Sequence, residues 1–342
     1  MSINISGKIG VIAAAIAVAI AGSANGQTIN GAGATFPAPI YAKWFQAYSA
    51  AHANVRFNYQ PVGSGAGIAQ YKAGTVFFGA TDAPMMDSEM GGMQPTLHIP
   101  TVAGAVVLAY NIKGIGAGLK LSGDVIADIY LGHITTWNDP RIQKENPNIT
   151  LPGEAITVVH RSDGSGTSYI YTNYLASVSN EWKNKVGAGK SVSWPTGLGG
   201  NGNAGVAGLV KSSSGGIGYV ELAYAVQTKL NYGPVKNKAG NFVLASTAST
   251  TAAASVAVNA LKKDVRVSIV NGTGANTYPI SGFTYLLVPK ASKDAATAAV
   301  VADFLKWAMG PGQGMAESLL YAALPAEAVK INEAAISTIK VK

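Results

Sequence analysis

The sequence predicts an α/β protein whose sheets are largely parallel. Apolar, strand-like runs alternate along the chain with segments of helical period. Glycine turns recur where a strand passes into a helix. The chain has 342 residues, 48% hydrophobic and 12% charged, which is enough for about two domains at ~150 residues each, both with cores of their own.

The elements follow in order. Ala38 to Ala53 carries Ile40, Tyr41, Trp44, Phe45 and Tyr48 at helical spacing. Val55 to Gln60 reads as a strand, and the turn from Gly63 to Gly67 leads into a short helix. Val76 to Ala80 is a second strand. Val102 to Asn111 is a longer one, and its unbroken apolar run predicts burial on both faces. A helix over Asp124 to Leu131 precedes a strand over Ile156 to His160, a glycine turn and a helix from about Thr167 to Ala176. Phe283 to Val288 reads as a strand. Ala295 to Met309 reads as a helix stopped by Gly310-Pro311-Gly312. The glycine- and alanine-rich stretch at 236–256 reads as a surface excursion, and no internal repeat or clean linker appears.

Composition narrows the function. The absence of cysteine excludes disulfides, thiolate metal sites, cysteine nucleophiles and a lipid anchor on cysteine. In the first 26 residues Lys8 is the only charge, an apolar run extends from Ile9 to Ala21, and Ala24-Asn25-Gly26 offers a small-x-small cleavage point before Gln27. That run is too short to span ~30 Å of hydrocarbon, so a cleaved export signal is expected. The net charge of +8 suits an anionic partner or plain solubility. The lysines are scattered, without interleaved aromatics, so no nucleic-acid partner is expected.

Three turns are built alike. Gly31 to Pro37 precedes a helix, and Gly63-Ser64-Gly65 and Gly164-Ser165-Gly166-Thr167 each join a strand to a helix. Helix starts leave N–H groups unpaired and favour anions, and Ser64, Ser165 and Thr167 add hydroxyls there. Arg161, four residues before Ser165, offers a planar fork of donors to a tetrahedral oxyanion. A fourth turn, Gly79 to Asp82, ends a strand on a carboxylate. Each feature has a plainer alternative: the serines as helix caps, Arg161 paired to Asp163 or Asp82, and Asp82 as a turn brace.

Enzyme motifs are weak. The dinucleotide-like runs Gly197 to Gly202 and Gly200 to Gly205 read as a loop rather than a strand-to-helix turn. Gly187 to Ser191 imitates the end of a P-loop, but Asn184 stands where its first glycine belongs. No Gly-x-Ser-x-Gly elbow exists, and His52, His98, His133 and His160 lack metal-ligand spacing. Neither a cofactor nor a metal is expected.

One resemblance spans the chain. Gly31 to Pro39 with Tyr41 to Trp44, Asn58 to Gln60 with Gly63-Ser64, Phe78 to Pro84, Ile129 to Gly132 with Trp137 to Asp139, Arg161 to Ser168, and Ile217 to Glu221 resemble, in order, the bacterial phosphate-binding proteins of high-affinity phosphate ABC transporters. The resemblance implies a two-lobed periplasmic-binding-protein (venus-flytrap) fold, each lobe a mixed, mainly parallel sheet flanked by helices. It implies residues 1–26 as signal peptide, 27–104 with 280–342 as lobe I and 105–279 as lobe II, with crossings near Ala103–Ala105 and Thr277–Ser281. It implies a monomeric periplasmic receptor, not an enzyme, that hands inorganic phosphate to membrane permease subunits. Carried over position by position, the phosphate contacts are Thr35, Phe36 through its N–H, Ser64 and Asp82 from one lobe, and Arg161, Ser165, Gly166 through its N–H and Thr167 from the other. The chain departs from the family pattern after Ser64, at Phe77 and at His160. The last two are expected to alter the local field and affinity.

Overall fold

The computed structural model describes residues 26–341, so the expected leader, save Gly26, lies outside the described residues. The chain opens with β1 (Gln27–Gly33) and α1 (Ala38–Ala51), whose buried stripe is Ile40, Tyr41, Trp44, Phe45 and Tyr48. Then come β2 (Val55–Gln60), α2 (Ser64–Lys72), β3 (Phe78–Thr81) and the short α3 (Asp87–Met90). β1 pairs in parallel with β2 on one side and β3 on the other. The long β4 (Thr96–Asn111) follows.

After β4 come α4 (Gly123–Leu131), α5 (Pro140–Glu145), β5 (Thr157–Arg161), α6 (Gly166–Val178) and α7 (Asn180–Lys185). Next are β6 (Leu198–Gly200), α8 (Gly202–Ser212), β7 (Gly216–Glu221), α9 (Leu222–Thr228) and β8 (Asn231–Tyr232). β5 pairs in parallel with β6 and β7. A small ribbon of β9 (Val235–Lys236) and β10 (Phe242–Val243) leads to α10 (Thr247–Ser255) and α11 (Val258–Leu261). The chain returns through β11 (Ser281–Pro289), β12 (Ala291–Ser292), α12 (Ala295–Met309), α13 (Ala326–Ile336) and β13 (Lys340–Val341).

Among the described residues the main strands run in the order β2-β1-β3-β11-β4-β7-β5-β6, with β8 beside β4. β4 serves both halves of this two-lobed fold. Its first part, through Ala105, pairs antiparallel with β11, and from Val106 onward it pairs antiparallel with β7. Its residues from His98 to Tyr110 are buried, as the apolar run implied.

Two expectations change. β4 starts at Thr96 rather than Val102 because the ladder continues through Pro100. The register shifts between Thr284 and Tyr285, opposite this point, and a bulge tolerates the missing donor of proline. The stretch at 236–256 is not all surface. α10 buries Thr250, Ala253 and Ala254 and packs on β4 and β11. Small side chains let this helix lie close to the sheet where the partner of β4 changes, so its alanine content reflects close packing rather than exposure.

Candidate functional site

The ends of strands β1, β3, β5 and β6 and the starts of helices α1, α2, α6 and α8 meet where the lobe built on β1–β3 faces the lobe built on β5–β7. This is the place an open α/β sheet offers to ligands. The lobes touch here through backbone: Gly65 N–H donates to Gly164 O at 2.8 Å. A Cβ on Gly65 would lie 3.1 Å from Gly164 Cα, so the approach depends on both glycines.

The hydroxyls share one arrangement. Thr35 Oγ1 accepts from Asn203 N–H (3.2 Å) and Asn203 Nδ2 (2.8 Å). Ser64 Oγ accepts from Asp82 N–H (3.3 Å) and Gly166 N–H (3.1 Å). Thr167 Oγ1 accepts from Arg161 Nη1 (3.3 Å) and Asn203 Nδ2 (3.1 Å). A hydroxyl has two lone pairs and one proton. With both lone pairs filled, each of these side chains has only its proton to offer, as a donor. Ser165 caps α6 by accepting from Ser168 N–H at 3.0 Å, so the capping alternative holds for it, and its proton too remains to donate. Phe36 N–H has no acceptor among the described residues, while Phe36 O accepts from Tyr321 Oη at 2.7 Å.

The charges are buried and separately held. Arg161 is 3% exposed and its fork grips Asp163, Nε to Oδ1 at 2.7 Å and Nη2 to Oδ2 at 2.5 Å. Of the two carboxylates open to it from sequence, Asp163 is the partner. Burial would raise the Asp163 carboxyl, but the Arg161 fork and charge overcome that and hold it below its usual range. Asp82 is also 3% exposed, and burial pushes its carboxyl up to about 7, against the Thr284 hydrogen bond and the Arg161 charge, which lower it. Thr284 donates to Asp82 Oδ1 at 2.7 Å. Asp82 thus titrates near neutrality, able to accept a proton from a ligand or to hold one.

All eight residues singled out from sequence lie in this cluster. Gly166 N–H, expected to face a ligand, here donates to Ser64 Oγ. A Cβ on Gly166 would come within 2.5 Å of both Asp82 Oδ2 and Ser64 Oγ. Gly166→Ala is therefore expected to prop the lobes apart and weaken anion binding by at least about tenfold, ~1.4 kcal/mol. Titration calorimetry beside a thermal melt checks this, because a loss confined to stability would contradict it.

Sequence reasoning missed Asn203, fully buried, which ties Thr35 in one lobe to Thr167 in the other. The reading of Gly197 to Gly202 as a loop is corrected. β6 ends at Gly200 and α8 starts at Gly202, so the run is another strand-to-helix turn, and Asn203 stands in its first helical turn. The glycine spacing itself carries the signal of a turn, whether or not it fits a dinucleotide pattern. Thr284 gave none, being one polar residue in an apolar strand. His160 stacks on Trp194 at 4.9 Å, with Nδ1 3.0 Å from Arg161 O. Phe77 is a half-buried residue packed on the core.

Comparison with known proteins places the chain in a family. The model of the PBP superfamily domain matches residues 19–311. The phosphate-binding protein PstS of Xylella fastidiosa (strain Temecula1) is 47% identical over 309 residues, 90% of this chain and 84% of that one. The chain belongs to the PstS family. The Haemophilus influenzae PstS is 46% identical over 307 residues, 90% of this chain and 91% of that one. A solved high-affinity periplasmic phosphate-binding protein, PfluDING, bound with phosphate at pH 8.5, superposes with a TM-score of 0.70 at 20% identity, over 90% of this chain and 93% of that one. That likeness shows the shared two-lobed fold. In a PstS family member, the hydroxyl donors, Arg161 and Asp82 form a set suited to a partly protonated oxyanion: protons for its oxygens, a cation for its charge and an acceptor for its own proton.

Proposed function

We propose that the protein is the extracytoplasmic receptor of a phosphate ABC transporter. It binds inorganic phosphate between its lobes and delivers it to membrane permease subunits. The observation that carries this reading is the set of hydroxyls whose lone pairs are filled from within, beside buried Arg161 and near-neutral Asp82. The phosphate contacts are Thr35, Phe36 N–H, Ser64, Asp82, Arg161, Ser165, Gly166 N–H and Thr167. On binding, Gly166 N–H passes from Ser64 Oγ to the anion. Binding and closure suffice for this function, and the protein acts without catalysis, metal or cofactor.

The lobes divide as 27–104 with 280–342 against 105–279. The change of pairing partner along β4, from Ser281 opposite Ala105 to Glu221 opposite Val106, supports crossings at Ala103–Ala105 and Thr277–Ser281. The mature protein is a periplasmic monomer, released from residues 1–26 and without a lipid anchor. Ligand contacts divided between two lobes make binding favour the closed arrangement. Lys190 Nζ and Glu89 Oε1 add a pair across the rim at 2.6 Å.

Phosphate should bind one-to-one in excess chelator, with a dissociation constant of about micromolar or tighter, roughly −8 kcal/mol. Equilibrium dialysis of labelled phosphate checks it, and loss of binding in chelator would contradict the metal-free reading. Small-angle scattering should show a more compact particle with phosphate than without. Identical curves from verified ligand-free and loaded samples would remove closure.

A further inference from the structure

Behind the anion cluster lies a carboxyl group that the binding account does not use. Glu221 ends β7 opposite Val106 and is fully buried. Its backbone N–H donates to Asn203 Oδ1 at 2.8 Å, which links it to the residue joining Thr35 and Thr167. Its Oε2 accepts from Ala223 N–H at 2.9 Å and lies 3.2 Å from Tyr321 Oη. Its Oε1 has no hydrogen-bond partner among the described residues.

The single proton of the Tyr321 phenol faces two oxygens, Phe36 O and Glu221 Oε2. The phenol has one proton, and its shorter hydrogen bond, 2.7 Å, goes to Phe36 O, whose own peptide is part of the anion site. With that proton on Phe36 O, the contact with Glu221 becomes a hydrogen bond when Glu221 donates. An ionised Glu221 has nothing to donate. It would also set a buried negative charge, with one oxygen unsolvated, beside Asp82 and the bound anion, at a cost of several kcal/mol.

We propose that Glu221 holds a proton whenever the lobes are closed on the anion, donating it from Oε2 to Tyr321 Oη, so that anion binding takes up a proton at this residue. The titratable groups acting on it are all acids. Asp82 beyond β3 pushes it further up, Tyr321 packs from the segment before α13, and Tyr224 stands on α9. Arg161, the nearby cation, is turned to Asp163 and Thr167. Burial, with Asp82 adding to it, raises the carboxyl well above its ordinary range, against the Ala223 N–H hydrogen bond; the Tyr321 contact lowers it only when the phenol donates. A group whose affinity for protons is higher in the closed form favours closure at lower pH and opposes it as pH rises. Glu221 is thus a positioning residue. Its proton keeps Tyr321 on the Phe36 carbonyl and keeps charge away from the anion.

The inference rests on phosphate binding, and its test separates the two. Calorimetry in buffers of different ionisation heat, at about pH 8 where ordinary carboxylates are charged, counts protons taken up per phosphate. The wild type is expected to take up more than Glu221→Gln, by up to about one proton. The amide cannot titrate, and at the Oε2 position it keeps either the donor to Tyr321 or the acceptor for Ala223, one of the two contacts. Infrared spectra of phosphate-saturated Asp82→Asn at the same pH, in which the neighbouring acid is gone, should show the carbonyl stretch of a neutral carboxylic acid, and the added Glu221→Gln change should remove it. Equal proton uptake in wild type and Glu221→Gln, or a missing band in the phosphate-loaded protein, would overturn the proposal. If the wild type binds no phosphate, the receptor reading fails and the proton uptake with it, whereas phosphate binding with equal uptake overturns the proposal alone.

Discussion

Arg161→Ala is expected to weaken phosphate binding by about 2–5 kcal/mol, roughly thirty- to several-thousand-fold, while Thr167→Ala costs about 0.5–1.5 kcal/mol. Arg161 is the cation buried in the cluster, and charge-assisted hydrogen bonds run about twice as strong as neutral ones. Its removal also leaves Asp163, with a side chain 12% exposed, facing the anion without its partner. That adds repulsion to the lost contact. Thr167 supplies one hydroxyl proton, and Asn203 still holds Thr35 after its loss. Isothermal titration of both variants, each checked for folding, measures the difference. Equal losses would mean that Arg161 serves only to hold Asp163.

Asp82→Asn is expected to lower the barrier to sulfate by about 3 kcal/mol, roughly a hundredfold or more, while much of the phosphate binding survives. Phosphate near neutral pH keeps a proton and can donate it to the Asp82 carboxylate. Sulfate has no proton to give and would meet a second acceptor in a closed, water-poor site. The titration of Asp82 adds a sign. Burial raises its carboxyl from 3.8 to about 7, so acid turns it from acceptor into donor. Discrimination against sulfate should therefore be larger at about pH 8 than at about pH 6 in the wild type, and change less with pH in Asp82→Asn, where only the phosphate still titrates. Competition of sulfate against labelled phosphate at both pH values reads this directly. If Asp82 only braces its turn through Thr284, the variant weakens every oxyanion alike and the ratio stays unchanged.

Much of this site was legible in the sequence because its parts are local. A glycine turn between a strand and a helix announces itself, and so does an arginine at a strand end. The turns at Ser64, Ser165 and Asp82 were found that way. What remained hidden is long-range. Asn203 matters because folding sets it 168 positions away in sequence from its partner Thr35, and Thr284 because β11 returns beside β3. The choice of Asp163 over Asp82 as the partner of Arg161 depends on side-chain direction, which spacing does not carry. In the fold, helical periods located α1 and α12 almost to the residue. α10 was obscured because an alanine-rich helix shows little contrast between its faces, and its burial is decided by the sheet beneath it.

The most direct test of the central claim is titration calorimetry of the mature protein, in excess chelator, against phosphate, arsenate and sulfate in turn. The account predicts one phosphate per chain with a dissociation constant of about micromolar or tighter, binding of arsenate, which protonates as phosphate does, and sulfate weaker by several kcal/mol at about pH 8. Sulfate binding as tight as phosphate, or no heat with phosphate from a folded, ligand-free protein, would contradict it.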